Sequence, residues 1–222
     1  DDFVNAIAAH AETITRWQQT QAGRVQITQL ETALPTGFDR NLFVTISSAI
    51  APLDLQTFWE AAADEAERAI ATLANHNSSR SSQPLGFKLR TGGVTADAFP
   101  DLSKVAHALV CAARFRVPIK FTAGLHHPVR LFHESVKTKM HGFLNVLGAG
   151  VFAVENRWGE NETQEMLADE DPASFSFSDQ SMRWRDAEIV TEQIIAARRL
   201  ITSFGSCSFD EPREDLRALN LL

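Results

Sequence analysis

Charged side chains alternate with apolar ones in two short segments, and this pattern is the strongest chemical signal in the sequence. In LGFKLR, Lys88 and Arg90 alternate with apolar neighbours, and in PIKFTA, Lys120 and Thr122 do the same. Because successive side chains of a β-strand point to opposite faces of the sheet, each segment predicts a strand with one apolar and one polar face. Cations gathered on such a face could bind a carboxylate or a phosphate.

A third segment, HGFLNV, shows the same alternation and is interpreted as another strand. It places His141 and Asn145 on the face opposite Leu144 and Val146. Burying a charge carries a high desolvation cost, so cations on a buried face indicate a binding pocket. The alternative is an exposed edge strand whose lysines extend along the surface toward water.

Glycine-containing loops follow both cationic segments. The first is TGG, and the second is GLHHP. Glycine reaches backbone conformations in which successive N–H groups can face an anion. A substrate-binding role is therefore predicted for Arg90, Thr91, Gly92, Gly93, Thr122, Gly124, His126, His127 and Asn145.

The first reaction hypothesis is a lyase- or aldolase-like enzyme that forms a lysine Schiff base. A lysine in a pocket next to other cations has a lowered pKa and becomes a nucleophilic amine. Lys120 is assigned this role, with Lys88 as its cationic neighbour. His141, or Glu31 at the end of the predicted strand VQITQLETA, would move protons. The alternative for Lys120 is a rim lysine paired with Glu31.

Two further hypotheses use the same region of the chain. A metal-dependent enzyme could bind a divalent ion through His126, His127 and His141, with Glu31 as a fourth ligand. No HxH or HExxH spacing occurs, so the sequence allows a metal but requires no cofactor. A non-catalytic module could hold a small anionic metabolite with the same cations and without a nucleophile.

Extended and helical segments alternate along the chain, which predicts parallel βαβ units. Between the two cationic segments, Asp101 precedes a helix in which Leu102, Val105 and Leu109 have amphipathic spacing. Strands of an open doubly wound sheet are apolar on both faces. The one-sided charge therefore favours a closed, TIM-like (β/α) barrel with a pocket at the carboxyl ends of its strands.

The predicted strands are 25–32, 42–47, 85–90, 118–123, 141–146 and 203–208. The predicted helices are 3–18, 54–74, 102–113, 147–156, 162–168, 186–201 and 212–222, with a polar loop at 75–83. These are about six strands, against the eight of a complete barrel, so either N-terminal strands are absent from this chain or two of its strands are not recognised in the sequence. The whole chain, 1–222, is predicted to be one barrel domain.

Composition limits the classes of function. The chain has 222 residues, 44% of them hydrophobic, and a net charge of −7, which suits one large core and argues against non-specific nucleic-acid binding. No membrane-spanning apolar run or signal peptide is visible. Cys111 and Cys207 are interpreted as core residues, with Cys207 as an alternative nucleophile; two distant cysteines fit a reducing, cytoplasmic compartment. The sequence does not determine the oligomeric state, and a homo-oligomer is compatible with it.

Four motifs together resemble an uncharacterised protein family of bacteria and plants. They are KLRTGGVTADAFP, KFTAGLHHPVR, HGFLNVLGA and FGSCSFDEPREDL. The resemblance is strong over residues 84–222 and loose over 1–83. It implies a TIM-barrel-like fold and the positions of the motifs, but no particular activity. Members of that family are longer at the N-terminus, which would supply the absent strands.

Overall fold

The computed structural model describes residues 2–79 and 83–221. Helices α1 to α8 are, in order, Asp2–Thr20, Arg40–Ile50, Ala66–Asn77, Leu102–Phe115, Phe143–Glu155, Glu160–Ala168, Thr191–Ala197 and Asp210–Ala218. Strands β1 to β10 are, in order, Gln29–Ala33, Gln56–Ala61, Gly86–Arg90, Ile119–Thr122, Leu131–His133, Thr138–Met140, Phe175–Phe177, Ser181–Trp184, Ala187–Val190 and Ile201–Gly205.

A five-stranded parallel sheet with the order β1-β2-β3-β4-β10 forms the centre of the fold. A β5–β6 hairpin and a three-stranded antiparallel sheet, β7-β8-β9, are inserted between β4 and β10. The predicted α/β class is thus confirmed. Within the described residues the sheet is open, with β1 and β10 as its edges, and it does not close into the expected barrel.

The apolar sides of the central strands pack under helices, as the alternation predicted. Phe87, Leu89, Ile119 and Phe121 are all fully buried in one hydrophobic core with residues of α3, α4 and α5. Trp59 of β2 joins the same layer, with its ring 5.4 Å from a phenylalanine ring of α2. Each such side chain contributes roughly 1.5–3 kcal/mol through burial. The opposite sides of β3 and β4 are therefore left to carry the charges.

The predicted strand 42–47 is wrong, because this segment lies within α2. Asp39 caps the helix, its Oδ1 accepting a hydrogen bond from the backbone N–H three residues later. The buried residues Phe43, Ile46 and Ile50 follow helical spacing, which outweighs the alternation in LFVTI.

The predicted strand 141–146 is also wrong, since α5 begins inside it. This helix is buried on almost every side, so its sequence shows no amphipathic period. The helix predicted over 54–74 is in fact β2 followed by α3. Phe58, Ala62 and Ala66 also fit helical spacing, which concealed the strand.

The other predicted strands, 25–32, 85–90, 118–123 and 203–208, correspond to β1, β3, β4 and β10 with small shifts of their ends. The helix predicted from 186 begins after β9, as α7. Residues 80–82 of the predicted loop and residue 222 of the predicted last helix lie outside the described residues. None of the helices in the described ranges combines the length and apolarity needed to cross a bilayer.

Candidate functional site

The polar faces of β3 and β4 carry a network of ion pairs, here called the lysine network. Lys88 Nζ is 3.0 Å from Glu31 Oε2 and 3.0 Å from Glu60 Oε2. Lys120 Nζ contacts Glu31 Oε1, and Arg90 Nε is 3.0 Å from Glu60 Oε1. Three basic side chains thus share two carboxylates on one face of the sheet. They converge, but each of them has a counterion.

The carboxylates change the chemistry expected of these lysines. Burial lowers the pKa of Lys88, but hydrogen bonds and charges from Glu31 and Glu60 outweigh it, so the pKa of Lys88 is raised. Burial likewise raises the pKa of both carboxyls, and their basic partners more than reverse this, so both pKa values are lowered. Lys88 is therefore not the uncompensated cation that the Schiff-base hypothesis placed beside Lys120, which itself pairs with Glu31.

Replacing Lys88 with methionine is expected to destabilise the protein by about 1–2 kcal/mol at pH 7, because Glu31 and Glu60 lose a largely buried partner. A carboxyl with a lowered folded pKa stabilises the fold above its unfolded pKa and loses this effect as pH falls through the folded value. Hence the difference between K88M and wild type should shrink below about pH 4.5. Urea unfolding of both proteins at pH 7 and below about pH 4.5 measures this difference in stability.

The matched control is Lys137→Met, since Lys137 and its partner Glu134 are both highly exposed. An exposed pair is worth about 0–1 kcal/mol. Equal stabilities of K88M and K137M at pH 7 would contradict a structural role for the lysine network.

His141 lies apart from the lysine network, at the loop before α5. It is buried, and its Nε2 is 2.9 Å from the Pro100 carbonyl, to which the ring N–H donates. Its Nδ1 is 3.4 Å from an Arg130 guanidinium nitrogen. Burial lowers the pKa of His141 to about 4, so the ring is neutral at pH 7. The strand assignment that put His141 beside the lysines is wrong, and its contacts are those of a structural group.

Asn145 is completely buried near the start of α5 and connects three segments. Its Oδ1 accepts a hydrogen bond from the Arg130 backbone N–H at 2.9 Å. Its Nδ2 donates to the carbonyls of Met166 and Asp169, at 2.7 and 2.8 Å. Because both amide hydrogens are used inside the protein, Asn145 positions the loop that carries Arg130 and does not face a ligand.

Close packing explains the residues of the predicted anion-binding loops. The Thr91 hydroxyl donates to the carbonyls of Thr122 and the next residue, at 3.2 and 2.6 Å. A Cβ on Gly92 would lie 2.8 Å from the Cα of Gly124, which has a φ of +73°, and one on Gly93 would meet a side-chain atom at 2.7 Å. The glycines thus let the loops after β3 and β4 approach each other, and a direct contact with an anion stays a prediction.

Both histidines that follow β4 are paired with carboxylates of α8. His126 Nδ1 is 2.8 Å from Glu211 Oε2, and His127 Nδ1 is 2.6 Å from Asp215 Oδ2. The two carboxylates are one helical turn apart, so they lie on the same side of α8. A carboxylate at Nδ1 fixes the tautomer and leaves Nε2 as the basic nitrogen of each ring.

A cavity of about 340 Å³, here called the edge cavity, lies between the loop after β4 and α8. Its polar lining comprises His127, Arg130, His133, Glu170 and Asp215. The rings of His127 and His133 stack, with centroids 5.3 Å apart. Burial lowers the pKa of Arg130, but a guanidinium stays charged at any physiological pH. The remaining lining is largely apolar: Pro128, Val129, Leu131, Pro172, Ala218 and Leu219.

Five of these groups were not expected from the sequence: Arg130, His133, Glu170, Glu211 and Asp215. The available signal was the pair of carboxylates one turn apart in the last helix, together with two adjacent histidines elsewhere. His126 is 85 residues from Glu211 and His127 is 88 residues from Asp215, so a single sequence does not reveal these pairs.

The two cysteines differ in environment. Cys111 is buried, which confirms its assignment to the core. Cys207 is exposed, so its assignment to the core is wrong. Its Sγ lies 3.9 Å from Nδ1 and 4.0 Å from Nε2 of His126, which is itself paired with Glu211. A thiol therefore stands at the same edge of the sheet as the paired histidines.

Comparison with known proteins gives no assignment: no family model matches the chain, and neither a curated protein nor a solved structure matches it significantly. The resemblance carried by the four motifs therefore stays a prediction.

Proposed function

We propose that this chain is an enzyme that acts on a small anionic metabolite in the edge cavity, by a lyase- or aldolase-like reaction with proton transfer at His127. The observation that carries the proposal is the presence of Arg130 and the His127–Asp215 pair in the lining of one cavity. A guanidinium binds a carboxylate or phosphate through paired N–H donors. A volume of about 340 Å³ suits a small ligand.

The His127–Asp215 pair supplies the acid–base group. With Asp215 accepting from Nδ1–H, Nε2 of His127 can take a proton from a bound hydroxyl or carbon acid. The Asp215 carboxylate then stabilises the imidazolium that forms and keeps the ring oriented, as in other His–carboxylate pairs. Negative charge developing on the substrate would be stabilised by Arg130, whose backbone N–H is held by Asn145 and whose Nε lies 4.0 Å from Glu170 Oε1.

The lysine network supports an anionic substrate in a second way. Arg90 and Thr122 are register partners at the carboxyl ends of β3 and β4, the edge from which the histidine loop continues. In parallel α/β sheets, ligands bind outside this edge. Three basic groups against two carboxylates leave the face with one excess positive charge, which attracts anions.

The geometry favours acid–base chemistry over the other two reaction hypotheses. A Schiff base at Lys120 would require its Nζ to leave Glu31 and Gln29, which both accept from it. Metal binding requires at least three ligand atoms close together. Among the described residues such a group occurs on the helices, and it does not include the histidines after β4. A non-catalytic anion-binding module would not need the paired imidazole, and this separates it from the proposal.

We also propose that the five-stranded sheet is a segment of a (β/α) barrel. Neighbouring strands follow the order of the chain, the apolar faces lie under helices and the charged faces are on the other side, as in strands arranged around an axis. A doubly wound sheet would reverse its strand order and be covered on both faces. A closed barrel requires strand partners for both β1 and β10. An experimental structure tests this proposal: further strands paired with both edges would support the barrel, and unpaired edges would contradict it.

Replacing Arg130 with glutamine is expected to weaken anion binding about 10- to 100-fold, the loss of a charge-assisted hydrogen-bond pair. Inorganic phosphate and pyruvate are suitable probes, because a ligand that binds the folded state raises the melting temperature. Wild type should show a concentration-dependent rise that R130Q lacks. Arg199→Gln is the matched control, since Arg199 is exposed and lies outside the cavity lining.

Two further results bear on the proposal. The edge cavity would not be the anion site if phosphate raised the melting temperature of R130Q as much as that of wild type. The same conclusion would follow if R199Q lost this rise to the same extent as R130Q. Borohydride reduction in the presence of pyruvate, followed by peptide mass analysis, tests the Schiff-base alternative. The proposal expects Lys120 to remain unmodified, and a reduced adduct on Lys120 would restore the lysine mechanism.

A further inference from the structure

Three potential metal ligands meet where α3 packs against α4, on the side of the sheet opposite the lysine network. Glu67 lies on α3, and His107 and Cys111 lie on α4. One ligand atom from each of the three residues lies within 4.8 Å of the other two. We propose that these residues form a binding site for Zn²⁺, distinct from the edge cavity.

The separations of the ligand atoms fit tetrahedral coordination. His107 Nε2 is 3.4 Å from Glu67 Oε2 and 3.7 Å from Cys111 Sγ. Zinc bonds of about 2.0–2.1 Å to nitrogen and oxygen, and about 2.3 Å to sulfur, give tetrahedral ligand separations of roughly 3.3 Å for N–O and roughly 3.6 Å for N–S. His107 Nε2 thus has nearly the required spacing to both of its partners before any ion enters, and the ligand atoms of Glu67 and Cys111 lie within 4.8 Å of each other.

The positions of the residues on the helices make the arrangement stable and accessible. His107 and Cys111 are four residues apart on one helix, so their side chains lie one above the other on the same face. Cys111 is buried, which fixes its sulfur, while His107 is partly exposed and Glu67 is largely exposed. The exposed side leaves an entry path and a fourth coordination position for water.

A fourth residue orients the imidazole. Glu160, the first residue of α6, places its Oε1 2.8 Å from Nδ1 of His107. Histidines that bind metals generally donate the other ring N–H to a carboxylate, which fixes the tautomer and makes the ligating nitrogen more basic. The carboxylate at Nδ1 therefore leaves Nε2 of His107 as the ligating nitrogen, toward Glu67 and Cys111.

The set of donor atoms selects the type of ion. A thiolate, an imidazole and one carboxylate suit Zn²⁺, whereas Mg²⁺ and Ca²⁺ prefer sites made of oxygen alone. On binding, the Cys111 thiol gives its proton to solvent and the sulfur forms the bond to the ion, so one proton is released for each ion bound. No oxidant or reductant is needed.

Co²⁺ titration of the chelator-treated full chain tests the site without any enzymatic assay. Wild type should develop a thiolate-to-cobalt charge-transfer band in the near ultraviolet, together with visible bands typical of tetrahedral Co²⁺. Both should saturate at about one equivalent and disappear when Zn²⁺ is added. Cys111→Ala should lose the charge-transfer band, whereas Cys207→Ser, which changes the other cysteine, should keep it.

Two exposed positions serve as further variants that do not disturb the core. Glu160→Gln should keep the charge-transfer band but bind Co²⁺ about 10- to 100-fold more weakly, because it removes only the group that orients His107. Glu67→Gln should weaken binding and change the tetrahedral bands. No band in wild type, a band that persists in C111A, or unchanged Co²⁺ affinity in both E67Q and E160Q would show that the cluster is only an ion pair around His107.

Discussion

Replacing Asn145 with alanine is expected to lower the free energy of unfolding by about 4 kcal/mol, because each buried partner left without a hydrogen bond costs about 1–3 kcal/mol. The N–H of Arg130 and the carbonyl of Asp169 lose the hydrogen bond that Asn145 supplies, and the carbonyl of Met166 keeps only its 3.3 Å bond from the Asp169 N–H. Asn145 itself has no exposed surface, so water cannot replace the lost amide without a rearrangement. Urea unfolding of N145A against wild type measures the difference.

Two variants separate this role from the loss of side-chain volume. Asn145→Asp keeps the acceptor for Arg130 but turns an oxygen toward the two carbonyls, so it should be at least as unstable as N145A. Asn161→Ala is the control, since Asn161 is exposed on α6, and it should change stability by less than about 0.5 kcal/mol. A loss below about 1 kcal/mol in N145A would leave Asn145 free for the ligand contact that the sequence predicted.

The local parts of the fold could be predicted from the sequence because their signals lie within the segments themselves. In β3 and β4, charged and apolar residues alternate without ambiguity, and the buried faces are those expected. In α4, the apolar spacing spans the whole helix. These elements contain one periodicity each, so no tertiary information was needed.

The wrong assignments came from segments that contain two periodicities or none. Residues 42–47 alternate as a strand would, yet Phe43, Ile46 and Ile50 also repeat as a helix, and packing decides between the two. The start of α5 is almost entirely buried, polar Asn145 included, so no exposed polar face distinguishes a helix from a strand there. For residues 42–47 the discriminating signal was the capping side chain of Asp39 at the start of α2.

The candidate site could be predicted only in part, because its side chains find their partners over long distances in the chain. Lys88 and Lys120 share a face as the alternation indicated, but their counterions come from β1 and β2. Glu60 lies in a segment predicted to be helical, so its carboxylate was not expected beside Lys88. The charge balance of a pocket depends on such tertiary neighbours, which one sequence does not specify.

His141 is expected to make the fold less stable in mild acid. Its pKa is about 4 in the folded protein, against 6.5 for an ordinary histidine, because burial disfavours the charged ring. Above pH 6.5 the ring is neutral in both states and has no effect; between pH 6.5 and 4 the unfolded chain binds a proton that the folded chain does not. The free energy of unfolding should therefore decrease as the pH is lowered from 6.5 to 4, with His141 contributing about 3 kcal/mol of this decrease.

Urea unfolding between pH 8 and pH 4, in wild type and in His141→Gln, isolates this contribution. Glutamine can donate to the Pro100 carbonyl but does not titrate, so H141Q should lose less stability than wild type between pH 6.5 and 4.5. His10→Gln, which changes an exposed histidine of α1, should keep the wild-type slope. The pKa of carboxyls such as Glu31 is lowered by their basic partners in the folded state, and this affects all three proteins alike. Coincident slopes for wild type and H141Q would show that His141 takes up its proton while folded, next to Arg130, and would make it a second candidate for proton transfer at the edge cavity.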